Sequence, residues 1–179
     1  MRKTKYHIKK KIMPLLLAVA MAGTATPIYV AHPAIVKAAV SNAFGTNKIS
    51  LSAGSYTVPV SLKKADDVEQ NSMAAGAVGE NATLEVAEDG TASLEVELKA
   101  LNLYGMTGAA KDLKVYQGND TKSETKDVTV EKTDEAGNPT KIKFTIPESA
   151  KTTDGIYLHM MISPIAKETD AFLKVDYAS

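Results

Sequence analysis

The sequence predicts an all-β protein built as an antiparallel β-sandwich. Eight or nine short segments alternate apolar and polar residues with the two-residue period of a strand that buries one face. Turn-forming residues separate these segments at short intervals, and almost nothing has the 3.6-residue period of a helix. Aromatic residues make up 6% and tryptophan is absent, so the core must consist mainly of aliphatic side chains.

The clearest local element is a hairpin around Asp89-Gly90. Residues 82–87 and 91–98 flank this dipeptide, and Asp-Gly favours the positive φ of a tight turn. In the second strand Leu94, Val96 and Leu98 alternate with polar residues, which predicts one buried face.

The remaining predicted strands follow the same pattern. They cover residues 48–52, 55–62, 101–103, 113–116, 127–132, 141–147, 156–162 and 171–177. Pro59 lies inside the second of these, which predicts an edge strand or a bulge. In residues 156–162, alternation places Met160 on one face and His159 and Met161 on the other.

The N-terminus is typical of a secretory signal. Residues 12–22 are an apolar run of 11 residues, too short to span a bilayer, with cleavage expected after Ala25 or Ala38. The basic residues before this run are Arg2, Lys3, Lys5, Lys9, Lys10 and Lys11. We predict a signal peptide over residues 1–38, a flexible segment over 39–47 and the β-domain over 48–179; an uncleaved membrane anchor is the alternative.

The formal charge of zero hides an acidic domain. The first 38 residues carry seven of the 21 basic residues and none of the 21 acidic ones, which leaves the remainder at net −7. An acidic domain argues against binding to nucleic acid or to anionic membrane surfaces. Because no apolar C-terminal tail or sorting motif follows, we expect a secreted or loosely wall-associated protein.

Catalytic and metal-binding patterns are sparse. The chain has no cysteine, which excludes disulfides and thiolate chemistry. Of its three histidines only His159 follows the predicted signal, and no serine has the surroundings of a hydrolase nucleophile. The acidic residues of the strands alternate outward as solvated side chains do. We therefore do not expect an enzyme.

Residues 70–76 form the segment that ordinary turn chemistry does not explain. They read Gln-Asn-Ser-Met-Ala-Ala-Gly and are followed by a predicted strand at 82–87. The segment is too short for a full helix, and a single 3₁₀ turn would fit it. Such a turn would present the hydroxyl of Ser72 and the thioether of Met73.

An ordered set of motifs resembles the NEAT (near-iron transporter) domains of Gram-positive surface and secreted proteins. The similarity runs from about Ile49 to Tyr177 and is strongest to members in which a Gly-Met-Thr-Gly loop precedes a Leu-Lys-Val-Tyr strand. The motifs that carry it are Gly54-Ser55-Tyr56-Thr57-Val58-Pro59-Val60, Asn71-Ser72-Met73-Ala74, residues 82–90, Leu94-Glu95-Val96-Glu97-Leu98, Tyr104-Gly105-Met106-Thr107-Gly108, Leu113-Lys114-Val115-Tyr116, Pro164-Ile165 and Leu173-Lys174-Val175-Asp176-Tyr177.

The resemblance implies an immunoglobulin-like sandwich that binds haem between a short 3₁₀ turn and the last β-hairpin. Ser72 matches the residue that can bond a haem propionate. Met73 matches the position over the porphyrin, where a thioether can ligate iron. The further pocket residues would be Met161, Ile165 and Phe172. The other interpretation of Met73 is a flexible filler that caps the edge of the sandwich.

One departure from the family pattern concerns the second iron ligand. Many haem-binding members carry Tyr-x-x-x-Tyr at the start of the last strand, or a Met after a Pro in the preceding loop. In this chain Ile165 or Ala166 occupies the proximal-ligand position, and neither side chain can coordinate iron. His159 on the neighbouring strand is an alternative donor, although a hydrogen-bonded surface histidine is commoner.

Two functions follow from these observations. The first is a secreted or cell-surface haem-binding module for iron acquisition, with haem as its cargo and haemoproteins or other NEAT proteins as further partners. The second is an interaction module of the same fold that binds a host or surface protein without haem. A wall-associated β-sandwich with neither activity is a third possibility.

Overall fold

The computed structural model describes residues 42–163 and 165–179, and all of the strands and turns below lie in this part of the chain. The predicted signal peptide lies outside the described residues. Two 3₁₀ turns, Ala75–Ala77 and Glu148–Thr152, accompany the strands. The strands are β1 (Asn42–Phe44), β2 (Ile49–Leu51), β3 (Gly54–Lys64), β4 (Val78–Val86), β5 (Ala92–Leu98), β6 (Leu101–Leu103), β7 (Met106–Gly108), β8 (Ala110–Tyr116), β9 (Thr125–Asp127), β10 (Thr129–Thr133), β11 (Pro139–Thr145), β12 (Gly155–Ile162) and β13 (Lys167–Val175).

Nine of these strands form one antiparallel sheet in the order β10-β11-β5-β4-β3-β13-β12-β8-β9. The long strand β3 belongs to both layers of the sandwich. Its first half pairs with β4 from Gly54 to Pro59, and its second half pairs with β13 from Val60 to Lys64. Pro59 lies at this change of partner, where its missing N–H is tolerated because the ladder to β4 ends there. The predicted all-β sandwich of immunoglobulin type is confirmed.

A second crossing joins the two ends of the sheet. β9 pairs with β8 and β10 pairs with β11, yet Val128 alone separates β9 from β10 along the chain. The terminal strands of the sheet are therefore two parts of one continuous segment. Both edge strands are short, with three residues in β9 and five in β10, which limits pairing with other chains.

The core lies between the two layers and follows the predicted alternation. In β5 the residues Ala92, Leu94, Val96 and Leu98 are buried, as are Leu158, Met160 and Ile162 in β12. Burying an aliphatic side chain of this size contributes about 1.5–3 kcal/mol. The period-two pattern in the sequence therefore predicts which side chains of each strand point into the core.

The described domain begins earlier than the sequence predicts. β1 lies inside the segment 39–47 that was expected to be flexible, and it pairs with β2. Phe44 is fully buried and its ring lies 5.3 Å from that of Tyr177, centroid to centroid. The amide of Gly45 also donates to the carbonyl of Lys151 at 2.9 Å, so β1 is held by packing and by hydrogen bonds that no periodic pattern in the sequence predicts.

The Asp89-Gly90 hairpin is confirmed, with Gly90 at φ +88°. The amide of Thr91 donates to Asp89 Oδ1 at 2.8 Å, which stabilises the turn. The 3₁₀ turn expected at residues 70–76 starts later, at Ala75. Asn71 forms a bridge with Lys63 of β3, so the chain stays extended up to Ser72 before it turns.

Candidate functional site

The segment from Asn71 to Ala77, which we call the lid turn, is attached to the end of β3. The backbone N–H of Ser72 donates to the carbonyl oxygen of Leu62 at 3.0 Å, and the backbone N–H of Lys64 donates to the carbonyl oxygen of Gln70 at 2.9 Å. These bonds extend the ladder of β3 on the edge opposite β13. The lid turn is therefore positioned by main-chain hydrogen bonding, independently of any ligand.

Ser72 and Met73 point to different surroundings. Ser72 is 8% exposed, and its Oγ accepts a hydrogen bond of 3.2 Å from the amide of Ala74. Met73 is 37% exposed, whereas Ala74 and Ala77 are fully buried beneath the turn. The small buried residues Ser72 and Ala74, on either side of Met73, keep the backbone close to the core. The thioether of Met73 consequently stands at the surface.

An open groove of 440 Å³ lies between the lid turn and β13. β13 pairs with β3 only from Ala171 to Val175, so its first residues have no strand on that side and border the groove. The residues that line the groove are Lys64, Ala65, Asp66, Ser72, Met73, Thr121, Lys167, Thr169 and Asp170.

The groove carries charges of both signs. Lys64 and Lys167 can pair with anionic groups of a ligand, and the hydroxyls of Ser72, Thr121 and Thr169 can bond them. Lys64 Nζ donates to Gln70 Oε1 at 2.6 Å, which holds it near the lid turn. The lining thus combines a soft thioether with several groups suited to carboxylates.

Of the five residues predicted for the pocket, Ser72 and Met73 line this groove and the other three do not. Met161 is half-buried on the outward face of β12, opposite Glu168. Ile165 packs, partly buried, against the core cluster. Phe172 is buried, and its ring lies 4.9 Å from that of Tyr157. Their expected role in the pocket stays a prediction.

A hydrogen-bonded group next to the groove was not predicted from the sequence. Asp170 Oδ1 accepts a bond of 2.8 Å from the Tyr116 hydroxyl and lies 2.9 Å from His159 Nδ1. Burial, aided by the neighbouring carboxylate, raises the pKa of Tyr116 to about 12. The outward position of His159 was foreseen from alternation, but its partners are not its neighbours along the chain.

Two further results concern the described residues. Within them, no three His, Cys, Asp or Glu side chains converge on a common point. No helix in this part of the chain is long and apolar enough to cross a membrane.

The described residues form a β-sandwich of immunoglobulin type with an open groove beside its last hairpin. The chain belongs to the NEAT family: the model of that family, described as an iron transport-associated domain, matches residues 50–177. NEAT domains are binding modules and not enzymes as a class. A search of curated proteins finds no match.

Proposed function

We propose that this protein is a secreted or cell-surface haem-binding module for iron acquisition, with haem held between the lid turn and the β12–β13 hairpin. The observation that carries the proposal is the position of Met73. Its side chain is 37% exposed and lines the groove between these two elements, in a chain whose family is associated with iron transport. An exposed methionine in a fixed turn is available as a ligand.

The donor groups of the groove fit haem. The thioether of Met73 is a soft, neutral donor of the kind that binds haem iron. Haem also has two propionates, and the groove offers Lys64, Lys167 and the hydroxyl of Ser72 to pair with them. The lid turn would therefore orient both the iron and the carboxylate edge of the porphyrin.

The facing side would hold the haem more weakly. In the family resemblance Ile165 or Ala166 stands at the proximal position, and neither carries a donor atom. Met73 would then be the main protein ligand. Apolar contact from Met161, Ile165 and Phe172 is the predicted contribution of the hairpin. A single protein ligand suits a cargo that is passed on to haemoproteins or to other NEAT proteins.

A hemin titration of the processed protein tests the proposal. We expect a Soret band that differs from that of free hemin, and a shifted band with weaker binding in Met73→Ala. Met106→Ala is the matched control, because Met106 is 44% exposed but does not line the groove. A parent protein without a Soret change contradicts haem binding. A Met73→Ala spectrum identical to that of the parent contradicts the ligand assignment alone.

The second candidate is an interaction module that binds a host or surface protein without haem. It is favoured by Tyr104, which is 83% exposed at the tip of the β6–β7 hairpin, beside Met106. Residues 100–110 carry no charge, so this tip suits a partner with an apolar pocket. We expect a pull-down from serum to retain a protein that Tyr104→Ser loses. Recovery of nothing by the parent contradicts this function.

A further inference from the structure

Three side chains from three neighbouring strands meet at one carboxylate oxygen. Tyr116 ends β8, His159 lies in β12 and Asp170 lies in β13. The Tyr116 hydroxyl is 2.8 Å and His159 Nδ1 is 2.9 Å from Asp170 Oδ1. The proposed haem site uses neither Tyr116 nor His159.

The register of the strands produces this meeting. His159 is paired directly with Asp170 of β13 on one side and with Lys114 of β8 on the other. The side chains of His159, Asp170 and Lys114 therefore project from the same outward face of the sheet. Tyr116 follows Lys114 by two residues and shares that face. Its ring stands edge-on to the imidazole, with an interplanar angle of 88°. The group is therefore a product of rigid strands rather than of a loop.

Two of the donor–donor distances, both measured from Asp170 Oδ1, are compatible with a coordination sphere as well as with hydrogen bonds. Ligand atoms about 2.0–2.2 Å from a metal ion, at right angles to each other, lie roughly 2.8–3.1 Å apart. The distances of 2.8 and 2.9 Å fall in this range. In the metal-free protein hydrogen bonds join the three groups. An ion would displace the phenol proton and leave the imidazole protonated on Nε2.

We propose that Tyr116, His159 and Asp170 form a binding site for a non-haem ferric ion. Phenolate and carboxylate oxygens are hard donors, and imidazole nitrogen also suits iron. The phenolate of Tyr116 and the carboxylate of Asp170 would together neutralise two of the three positive charges of Fe³⁺. Lys167 lines the same groove as Asp170 and can hold an anion that completes the coordination. His159 and Asp170 provide only two ligands, and Tyr116 supplies the third.

The site is open to solvent on one side. The side chains of His159 and Asp170 are partly exposed, whereas Tyr116 is buried behind them. An ion would enter along the groove that Asp170 borders. Three protein ligands leave further positions for water or for an anion delivered with the iron.

Titration of the haem-free protein with Fe(III) nitrilotriacetate tests the site. Binding of a phenolate to Fe³⁺ produces a visible charge-transfer band, which we expect in the parent and not in Tyr116→Phe. Tyr157→Phe is the matched control and should keep the band, because Tyr157 is on the same face of β12 as His159 but its ring packs at a tilt of 60° against Phe172. A colourless parent, or a band that survives in Tyr116→Phe, overturns the proposal.

A second variant covers the case in which Tyr116→Phe folds poorly. We expect His159→Gln to keep the colour at saturation while binding iron about 10-fold or more weakly, because even the loss of a group that only orients a ligand costs about 10–100-fold in metal affinity. Unchanged affinity in His159→Gln overturns the three-residue site. Hemin titration of the same variants separates the two proposals, since the Soret band should respond to Met73→Ala and not to Tyr116→Phe.

Discussion

The backbone N–H of Ser72 donates to the carbonyl oxygen of Leu62 at 3.0 Å, and this bond attaches the lid turn to the strand that connects the two layers. The position of Met73 therefore depends on β3 and not on a ligand. A pre-formed turn loses less conformational freedom when a ligand binds.

Ser72→Ala should lower the free energy of unfolding by about 1 kcal/mol, because it removes the Oγ that accepts the amide of Ala74. Urea denaturation measures this change. The same variant should bind hemin more weakly if the hydroxyl also bonds a propionate. Ser61→Ala, at a half-buried serine of β3, is the control and should leave hemin affinity unchanged. Equal hemin affinity in parent and Ser72→Ala contradicts the propionate role.

Ile165→Ala distinguishes a core residue from a pocket residue. Ile165 is partly buried against the core, so its truncation should lower stability by about 1–2 kcal/mol, less than for a fully buried side chain. Because the proposed role of Ile165 is apolar contact and not a bond to iron, we expect weaker hemin binding with the Soret band at an unchanged position, in contrast to Met73→Ala. Unchanged hemin affinity in Ile165→Ala would contradict the pocket role.

Tyr177→Phe should raise stability at neutral pH by about 1 kcal/mol. The Tyr177 hydroxyl is buried and has no hydrogen-bond partner among the described residues, so its removal relieves a desolvation penalty. Tyr56→Phe is the matched control, because the Tyr56 hydroxyl donates to the carbonyl of Ser52 at 2.9 Å. The control should lose stability. Chemical denaturation of both variants gives the comparison, and destabilisation of Tyr177→Phe would contradict it.

Stability should also fall in alkaline solution. Burial raises the pKa of Tyr177, and that of Tyr116 to about 12, whereas an unfolded tyrosine titrates near 10. Above pH 10 the unfolded chain loses protons that the folded protein keeps. The contribution of the two phenols is therefore complete below pH 10 and is lost as pH rises through 12. Denaturation at several pH values should show a shallower decline in Tyr177→Phe than in the parent.

Lys151→Met should lower stability by about 1.5–3 kcal/mol. The buried ammonium of Lys151 donates to the carbonyl of Gly90 at 2.8 Å and to Glu148 Oε1 at 2.6 Å, so it ties the β4–β5 turn to the second 3₁₀ turn. Glu148→Gln should have a much smaller effect, because that carboxylate is exposed. Thermal unfolding of the two variants checks the order. Equal effects would show that the bond to Gly90 contributes little.

Local pattern was enough for the strands and for part of the site. Leu94, Val96 and Leu98 alternate with polar residues because one face of β5 is buried. The burial of each side chain in such a strand can therefore be predicted from its position in the alternation. The outward position of His159 followed from the same rule. Ser72 and Met73 were singled out because their small-residue segment is too short for a helix and too apolar for an ordinary turn, and their role toward haem stays a prediction.

Contacts between distant segments could not be foreseen. Phe44 joins the core although nothing around it is periodic, and the packing of Ile165 against the core has no local signal in the sequence. The 3₁₀ turn starts at Ala75, later than predicted, because Asn71 is still paired with β3. Local propensity does not predict such a pairing.

The sequence by itself determined an acidic, cysteine-free β-sandwich of the NEAT type, and the segment that carries Ser72 and Met73. These are properties of composition, alternation and short motifs. The tertiary structure alone decided that β3 changes partner at Pro59, that the groove opens along the unpaired start of β13, and that Tyr116 reaches Asp170. The physical reason is strand register: it brings together side chains 54 residues apart, and no local pattern records it.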